Sequence, residues 1–295
     1  MKKIILVTGG AGFIGKNLIE KLLKKTSYSI LSYDNYSTGS VKNHIYNKRV
    51  KYIKGDTINI NKKLFNYKKK IICIFHFGEF ARIHQSFYLT DQCFSSNVNG
   101  TYEVFKFGTL NKIRIIYSAT SASIGNNGKD CNLSPYAFTK AKNISLLNNY
   151  KKWFGLKFDV IYFYNVYGPN QIKDGFMATV IGIFEHQYLN KRLLTVVRPG
   201  TQKRKFTHID DTVEACLLVL KRNKNTHYSI SYKKSYSINE IAKFFERKIK
   251  YLPKRRGERY SSSIKNIINN KKVINLKAKI DIKDYISDFL KQVDQ

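Results

Sequence analysis

The sequence opens on a short apolar run, Ile4 to Val7, that leads directly into Thr8-Gly9-Gly10-Ala11-Gly12-Phe13-Ile14-Gly15. Gly10, Gly12 and Gly15 satisfy the spacing G-x-G-x-x-G, and an amphipathic stretch over 12–25 follows. A glycine motif alone is common, but between a strand and a helix it has a physical purpose. The glycines allow a tight turn and close approach of backbone N–H groups to a pyrophosphate, and the positive end of the helix dipole points at the same place. The motif therefore predicts a buried strand with a dinucleotide at its carboxyl end. Gly9, Gly12, Phe13, Ile14 and Gly15 are the candidate contacts.

The strand-then-helix order continues. Apolar runs over 29–33, 50–53, 71–77, 113–117 and 158–163 alternate with helical patterns, notably 91–110 and 135–154. Near-continuous apolar strands separated by helices predict an α/β fold: a Rossmann-type doubly wound parallel sheet covered on both faces. Asp34 ends the second run, roughly 20 residues beyond the glycines, where a carboxylate accepts from the adenosine ribose hydroxyls. It would repel a 2′-phosphate, so NAD is expected rather than NADP. Asn35 beside it and Asp56, which closes the third run, are further cofactor candidates. The second half is less regular, with helices expected near 176–190, 211–222, 238–248 and 282–291 and strands near 193–197, 204–209 and 227–231. The expected organisation is a dinucleotide-binding domain over 1–165, to which 205–225 returns, and a smaller C-terminal α/β substrate lobe over 166–204 and 226–295.

Tyr136 and Lys140 lie four residues apart behind Pro135, which suits the first turn of a helix, so both side chains share one face. An ammonium one turn away favours the phenolate, which makes Tyr136 a usable acid and base. In a chain with 21 Tyr the pair by itself carries little weight; the glycine motif gives it meaning.

Charge raises a competing idea. The chain has 53 Lys+Arg against 20 Asp+Glu, a net +33. With 43% hydrophobic and 14% aromatic residues it is not a disordered basic tail. The excess suggests a polyanion: nucleic acid, an acidic membrane or a phosphorylated substrate. Only 11 of the 53 are Arg, however, and direct base readout favours the guanidinium fork. The excess is better explained as a lysine-rich solvated surface, with no specific nucleic-acid partner; a basic Rossmann protein that binds nucleic acid is the alternative. Cys73, Cys93, Cys131 and Cys216 form no CxxC pair and no Cys/His cluster at ligand spacing, so no metal and a reducing, cytoplasmic location are expected. No apolar run approaches the roughly 18–20 residues of a membrane span, and the one at the N-terminus is too short for a signal peptide.

Five motifs occur in order: Gly9 to Gly15, Asp34, Asn97-Val98-Asn99-Gly100-Thr101, Tyr136-x-x-x-Lys140 and Phe206-Thr207-His208-Ile209-Asp210-Asp211. The chain resembles the extended short-chain dehydrogenase/reductase family, in its NAD-dependent nucleotide-sugar epimerase/dehydratase branch, over nearly its whole length. The resemblance implies tightly held NAD, a nucleotide-diphosphate sugar as substrate and a homodimer formed through the helices near 91–110 and 135–154. It implies that Thr120, in Tyr117-Ser118-Ala119-Thr120, bonds the sugar 4-OH and its developing oxyanion. Tyr136 would exchange the hydroxyl proton, and Lys140 would also hold the nicotinamide ribose. Asn97 would serve the cofactor, Asn165 the substrate, and Arg204 and Arg255 would clamp the diphosphate, for which a fork of donors is suited.

Related 4,6-dehydratases carry Asp-Glu after the catalytic Thr, and related decarboxylases carry a Glu two positions after it. Here Ser121 and Ala122 follow, as small uncharged residues do in the UDP-glucose 4-epimerases. The implied reaction passes hydride from C4 to NAD and returns it to the other face of a transient 4-keto sugar. A 4-keto-sugar reductase or another deoxysugar enzyme is the alternative. Three departures from the family pattern stand out. Ile124-Gly125 replaces Tyr-Gly, the loop over 125–130 is short, and His76-Phe77-Gly78-Glu79-Phe80-Ala81-Arg82 replaces a run of small residues. Glu79 and Arg82 either face the sugar or pair with each other.

Overall fold

Six strands follow the first half of the chain: β1 (Ile4–Thr8), β2 (Ser29–Asp34), β3 (Val50–Lys54), β4 (Ile71–His76), β5 (Arg114–Thr120) and β6 (Phe158–Phe163). They form a parallel sheet in the order 3-2-1-4-5-6. The structure is a computed structural model and describes residues 3–123, 130–258, 267–268 and 271–293. The remaining strands are β7 (Val166–Tyr167), β8 (Leu194–Val197), β9 (Lys203–Lys205), β10 (Thr207–His208), β11 (His227–Ser231), β12 (Ser235–Ser237), β13 (Ile249–Leu252), β14 (Ile267–Ile268) and β15 (Lys271–Lys277). Beyond β6 the large sheet takes in β11 and β15 as parallel strands and ends on antiparallel β14.

The central strands are buried on both faces, as their unbroken apolar sequences require. On one face lie α1 (Phe13–Lys25) and, far along the chain, a helix over Ile209–Arg222, with Leu18, Ile19, Leu22, Val213 and Cys216 in one core. On the other lie α2 (Thr90–Phe94), α3 (Thr101–Leu110) and α4 (Pro135–Phe154), with Val104, Phe105, Ile144 and Leu147 in a second core. α4 begins on Ser134, which accepts from the Ala137 N–H, has Pro135 in its first turn, and ends on left-handed Gly155. A buried ion pair pins the far end of the sheet. Arg114 of β5 donates to Asp159 of β6 and to the carbonyls of Val219 and Leu220 in the helix over Ile209–Arg222.

A smaller lobe has its own core of Tyr167, Ile181, Phe184, Leu194, Val196, Phe206, Ile241 and Phe245. It contains α5 (Val180–Leu189), the two-stranded pairs β7·β10, β8·β13 and β9·β12, α7 (Ile238–Phe244) and α8 (Ile282–Val293); the helix over Ile209–Arg222 is α6.

Several boundaries differ from expectation. The segment 226–295 does not belong to the smaller lobe as a whole, because β11 extends the large sheet by pairing with β6 and β15 extends it further by pairing with β11. The single helix expected over 91–110 starts at Thr90 and is interrupted by a π-helical stretch, Ser95–Gly100. Strand 204–209 is two short strands with buried Phe206 between them. The helix expected from 176 starts at Val180, capped by Thr179, because Gly175 turns the chain at φ +80°. The helix expected to reach 248 stops at Phe244, and Glu246 follows at φ +53°. The Ile124-Gly125 departure and most of the loop over 125–130 lie outside the described residues; Asp130 is described and buried.

His76 ends β4 with no exposed surface. Thr8 Oγ1 already accepts from the N–H groups of Phe77 and Gly78, so its own hydrogen goes to His76 Nδ1 at 2.7 Å. Nε2–H is then the donor to Thr101 Oγ1 at 3.0 Å. Burial holds this imidazole neutral, pushing its pKa from 6.5 down to about 4. The unfolded chain therefore binds the proton first. Stability from this group is complete above pH 6.5 and is lost as pH falls toward 4. Relative to His76→Gln, the native chain is expected to lose about 1.4 kcal/mol per pH unit across that window, roughly 3 kcal/mol in all. Denaturant unfolding of both proteins at several pH values measures the difference; parallel profiles would contradict it.

Candidate active site

The crevice opens where the strand order reverses, between β1 and β4, at the carboxyl edge of the sheet. β1 ends at Thr8, and Gly9 turns at φ +69°. A Cβ on Gly9 would lie 2.8 Å from the carbonyl carbon and oxygen of Phe77, and one on Gly15 would lie 2.2 Å from the Gly9 oxygen. Neither position admits a side chain. α1 starts immediately, with Gly12 as its N-cap and no side chain capping its first N–H groups. Those open donors and the close backbone form the seat that a pyrophosphate needs.

A cavity of about 520 Å³ runs from this turn to the smaller lobe. Gly9, Gly12, Phe13, Ile14 and Gly15 line it, as do Asp34 and Asn35. Asp34 accepts from the N–H groups of Ala11 and Tyr36, which ties the end of β2 to the glycine turn. Burial pushes its carboxyl above the ordinary value, against the pull of those two donors. The seat and the carboxylate together fit NAD.

Two expected cofactor contacts are placed elsewhere. Asn97 is fully buried and does not line the cavity. Its amide closes two hydrogen bonds on the backbone of Phe80 and donates to Thr139, fastening the loop after β4 to α4. Asp56 also stays off the cavity, although its neighbours Gly55 and Thr57 line it. Its carboxylate caps the turn at Ile58 and accepts from Asn35 Nδ2. Both side chains are consumed by local structure.

A further part of the cavity wall is assembled from β5 and α4. Thr120 ends β5, and Tyr136 and Lys140 share one face of α4; all three line the cavity. Ser121 and Ala122, next to Thr120, are buried. Lys140 donates to Ser118 O at 2.6 Å and to Glu79 Oε2 at 2.5 Å. Glu79 Oε1 accepts from Thr101, Tyr117 and Asn143, each at 3.0 Å. Thus a chain of bonds runs from Thr8 through His76, Thr101 and Glu79 to Lys140. The sequence placed Glu79 beside the sugar or beside Arg82, and it does not pair with Arg82. Arg82 Nε donates to Met177 O at 2.8 Å, latching the loop after β4 to the opposite side of the crevice. Burial works against the charge on this guanidinium, and nearby Tyr136 works for it.

The smaller lobe supplies Asn165, Arg204 and Arg255, all of which line the cavity. Asn165 sits at φ +31° and donates to Lys205 O. Arg204 is buried and bonds Glu258 Oε1 at 3.0 Å, whereas Arg255 is exposed. Gln202, Arg256 and Glu258 complete this end and were not expected from the sequence. Only their position beside Arg204 and Arg255 could have suggested them.

Known proteins resemble this chain in sequence and fold. A putative UDP-glucose 4-epimerase of Methanocaldococcus jannaschii is 27% identical over 303 residues, covering 96% of each chain. Human dTDP-D-glucose 4,6-dehydratase is 31% identical over 259 residues, 82% of this chain and 72% of that one. The UDP-glucuronic acid 4-epimerase of Bacillus cereus, solved with UDP-glucuronic acid and NAD, superposes with a TM-score of 0.84 at 25% identity, covering 98% and 99% of the two chains. Residues 5–231 match the NAD dependent epimerase/dehydratase family. With the dinucleotide seat, the Thr120–Tyr136–Lys140 end and these likenesses in agreement, the chain belongs to the NAD-dependent epimerase/dehydratase family of extended short-chain dehydrogenase/reductases and uses NAD.

Proposed function

We propose that the protein inverts C4 of a UDP-linked hexose through a transient 4-keto sugar. The observation that carries this reading is the lack of an uncommitted carboxylate at the reaction end among the described residues. Elimination of water or loss of CO₂ needs a spare acid or base beside Thr120, and Ser121 and Ala122 are there instead. Asp34 is held by two N–H donors, Glu79 by Lys140 and three neutral donors, and Glu258 by Arg204. What remains is a proton-exchanging phenol, an ammonium and a hydroxyl.

NAD, when bound in the seat formed by Gly9, Gly12 to Gly15 and Asp34, supplies hydride chemistry. The residues do the rest. Tyr136 takes the 4-OH proton and gives it back, with Lys140 one turn away on the same face of α4. Thr120 donates toward the oxygen on which charge builds. Arg204 and Arg255, which line the cavity, would hold the diphosphate. A 4-keto-sugar reductase would use the same groups, so net consumption of reduced cofactor separates the two.

The purified protein is expected to interconvert one 4-epimeric pair from a panel of UDP-hexoses, their N-acetyl forms and their uronic acids, with no dinucleotide added, as followed by proton NMR. An NAD-loaded protein that leaves the whole panel unchanged would contradict this, and stoichiometric loss of NAD(P)H would favour the reductase. Tyr136→Phe is expected to lower kcat by about 10²- to 10⁴-fold with KM nearly unchanged. Arg255→Ala is expected to act mainly on KM.

We also propose a homodimer through α2 to α4. Phe94, Tyr102, Phe138 and Trp153 are exposed on these helices and Val98 on the π-helical stretch between α2 and α3, and Phe94 and Phe138 stack on each other, an apolar surface suited to a second copy. Light scattering is expected to give twice the 34.3 kDa chain mass; a monomer at micromolar concentration would rule the interface out.

A further inference from the structure

Glu79 is a cavity carboxylate that sits directly on a catalytic side chain. Its side chain is 1% exposed and that of Lys140 is 5% exposed, so neither charge is screened by bulk water. The two Glu79 oxygens accept from Lys140, Thr101, Tyr117 and Asn143, and this fixes the carboxylate in place. Two of the three Lys140 donors are spent on Glu79 and on the Ser118 carbonyl. One N–H is left for the cavity that Lys140 lines.

The sign of charge here matters for a cofactor whose two forms differ by one unit. The nicotinamide ring is cationic when oxidised and neutral when reduced. During turnover the C4–H bond delivers its hydrogen and electron pair to NAD, the hydroxyl proton goes to Tyr136, and C4–O becomes a double bond; the return step reverses all three. An uncompensated Lys140 ammonium beside the reacting end would repel the oxidised form and favour the reduced one. A carboxylate on that ammonium cancels the bias.

We propose that Glu79 is a positioning residue that both aims Lys140 and offsets its charge, so that the site holds oxidised NAD in preference to the reduced form. This inference rests on the NAD-dependent sugar site described above but not on which sugar is turned over. The offset keeps the bound cofactor from stalling in its reduced state if the keto sugar escapes before hydride returns.

Competition between NAD and NADH for the full-length protein, measured by equilibrium dialysis, reads the preference directly as a ratio of affinities. Glu79→Gln keeps the shape of the side chain and removes its charge; it is expected to shift the ratio about tenfold toward NADH. Lys140→Met leaves the carboxylate unbalanced and is expected to shift it toward NAD. Glu79→Asp, which keeps the charge, is expected to stay near the native ratio. Simple loosening of the site would weaken both nucleotides together and leave the ratio alone. The inference is overturned if folded Glu79→Gln stays within twofold of native, or if it and Lys140→Met shift in the same direction. If Glu79→Gln does not fold, Lys140→Met decides: a shift toward NAD supports the offset, and no shift or the opposite shift overturns it. Failure of the native protein to bind either dinucleotide would overturn both this inference and the reading of the site.

Discussion

Gly9 passes so close to the Phe77 carbonyl that no side chain fits between them. That contact draws the ends of β1 and β4 together just before their chains part, one into α1 and the other into the loop over 77–89. The crevice is the space left by this parting. Thr8, one residue before the contact, accepts from the backbone of Phe77 and Gly78 and bonds His76. The same few atoms therefore shape the dinucleotide seat and start the hydrogen-bond chain that ends on Lys140. A side chain at Gly9 would disturb both.

The chain of bonds from Thr8 to Lys140 crosses a region with almost no access to water. A polar network in such a place stabilises only when each member has a partner, and removing one partner of a buried ion pair costs about 3–5 kcal/mol. His76, Thr101, Glu79, Tyr117 and Asn143 meet that condition. The net charge of +33 is carried elsewhere for the most part. Among the described residues, the cations in the crevice are Arg82, Lys140, Arg204, Arg255 and Arg256, and both Lys140 and Arg204 have carboxylate partners.

Much of this was legible because it rests on short-range rules. The glycine turn, Asp34, the strand-helix alternation and the Tyr136–Lys140 pair each follow from local spacing, and each side chain lines the crevice. Three kinds of feature were not legible. β15 escaped notice because its lysines and asparagine mask an alternation that matters only once β11 lies beside it. The partner of Glu79 is 61 residues away in sequence, and no local pattern distinguishes Lys140 from Arg82 as its neighbour. Asn97 and Asp56 are polar residues near a cofactor site whose side chains the backbone had already claimed. Polarity in the right neighbourhood did not reveal which atom each would face.

The saturation of Glu79 also bears on how the chain can vary. With four donors aimed at one carboxylate, an apolar residue at position 79 would leave Lys140, Thr101, Tyr117 and Asn143 each short of an acceptor. A change at any of those strands part of the carboxylate instead. Single substitutions in this group are strongly interdependent, and their effects combine non-additively. Drift away from this arrangement would have to pass through intermediates less stable than either end. A carboxylate here, once acquired with its donors, is therefore hard to lose one residue at a time.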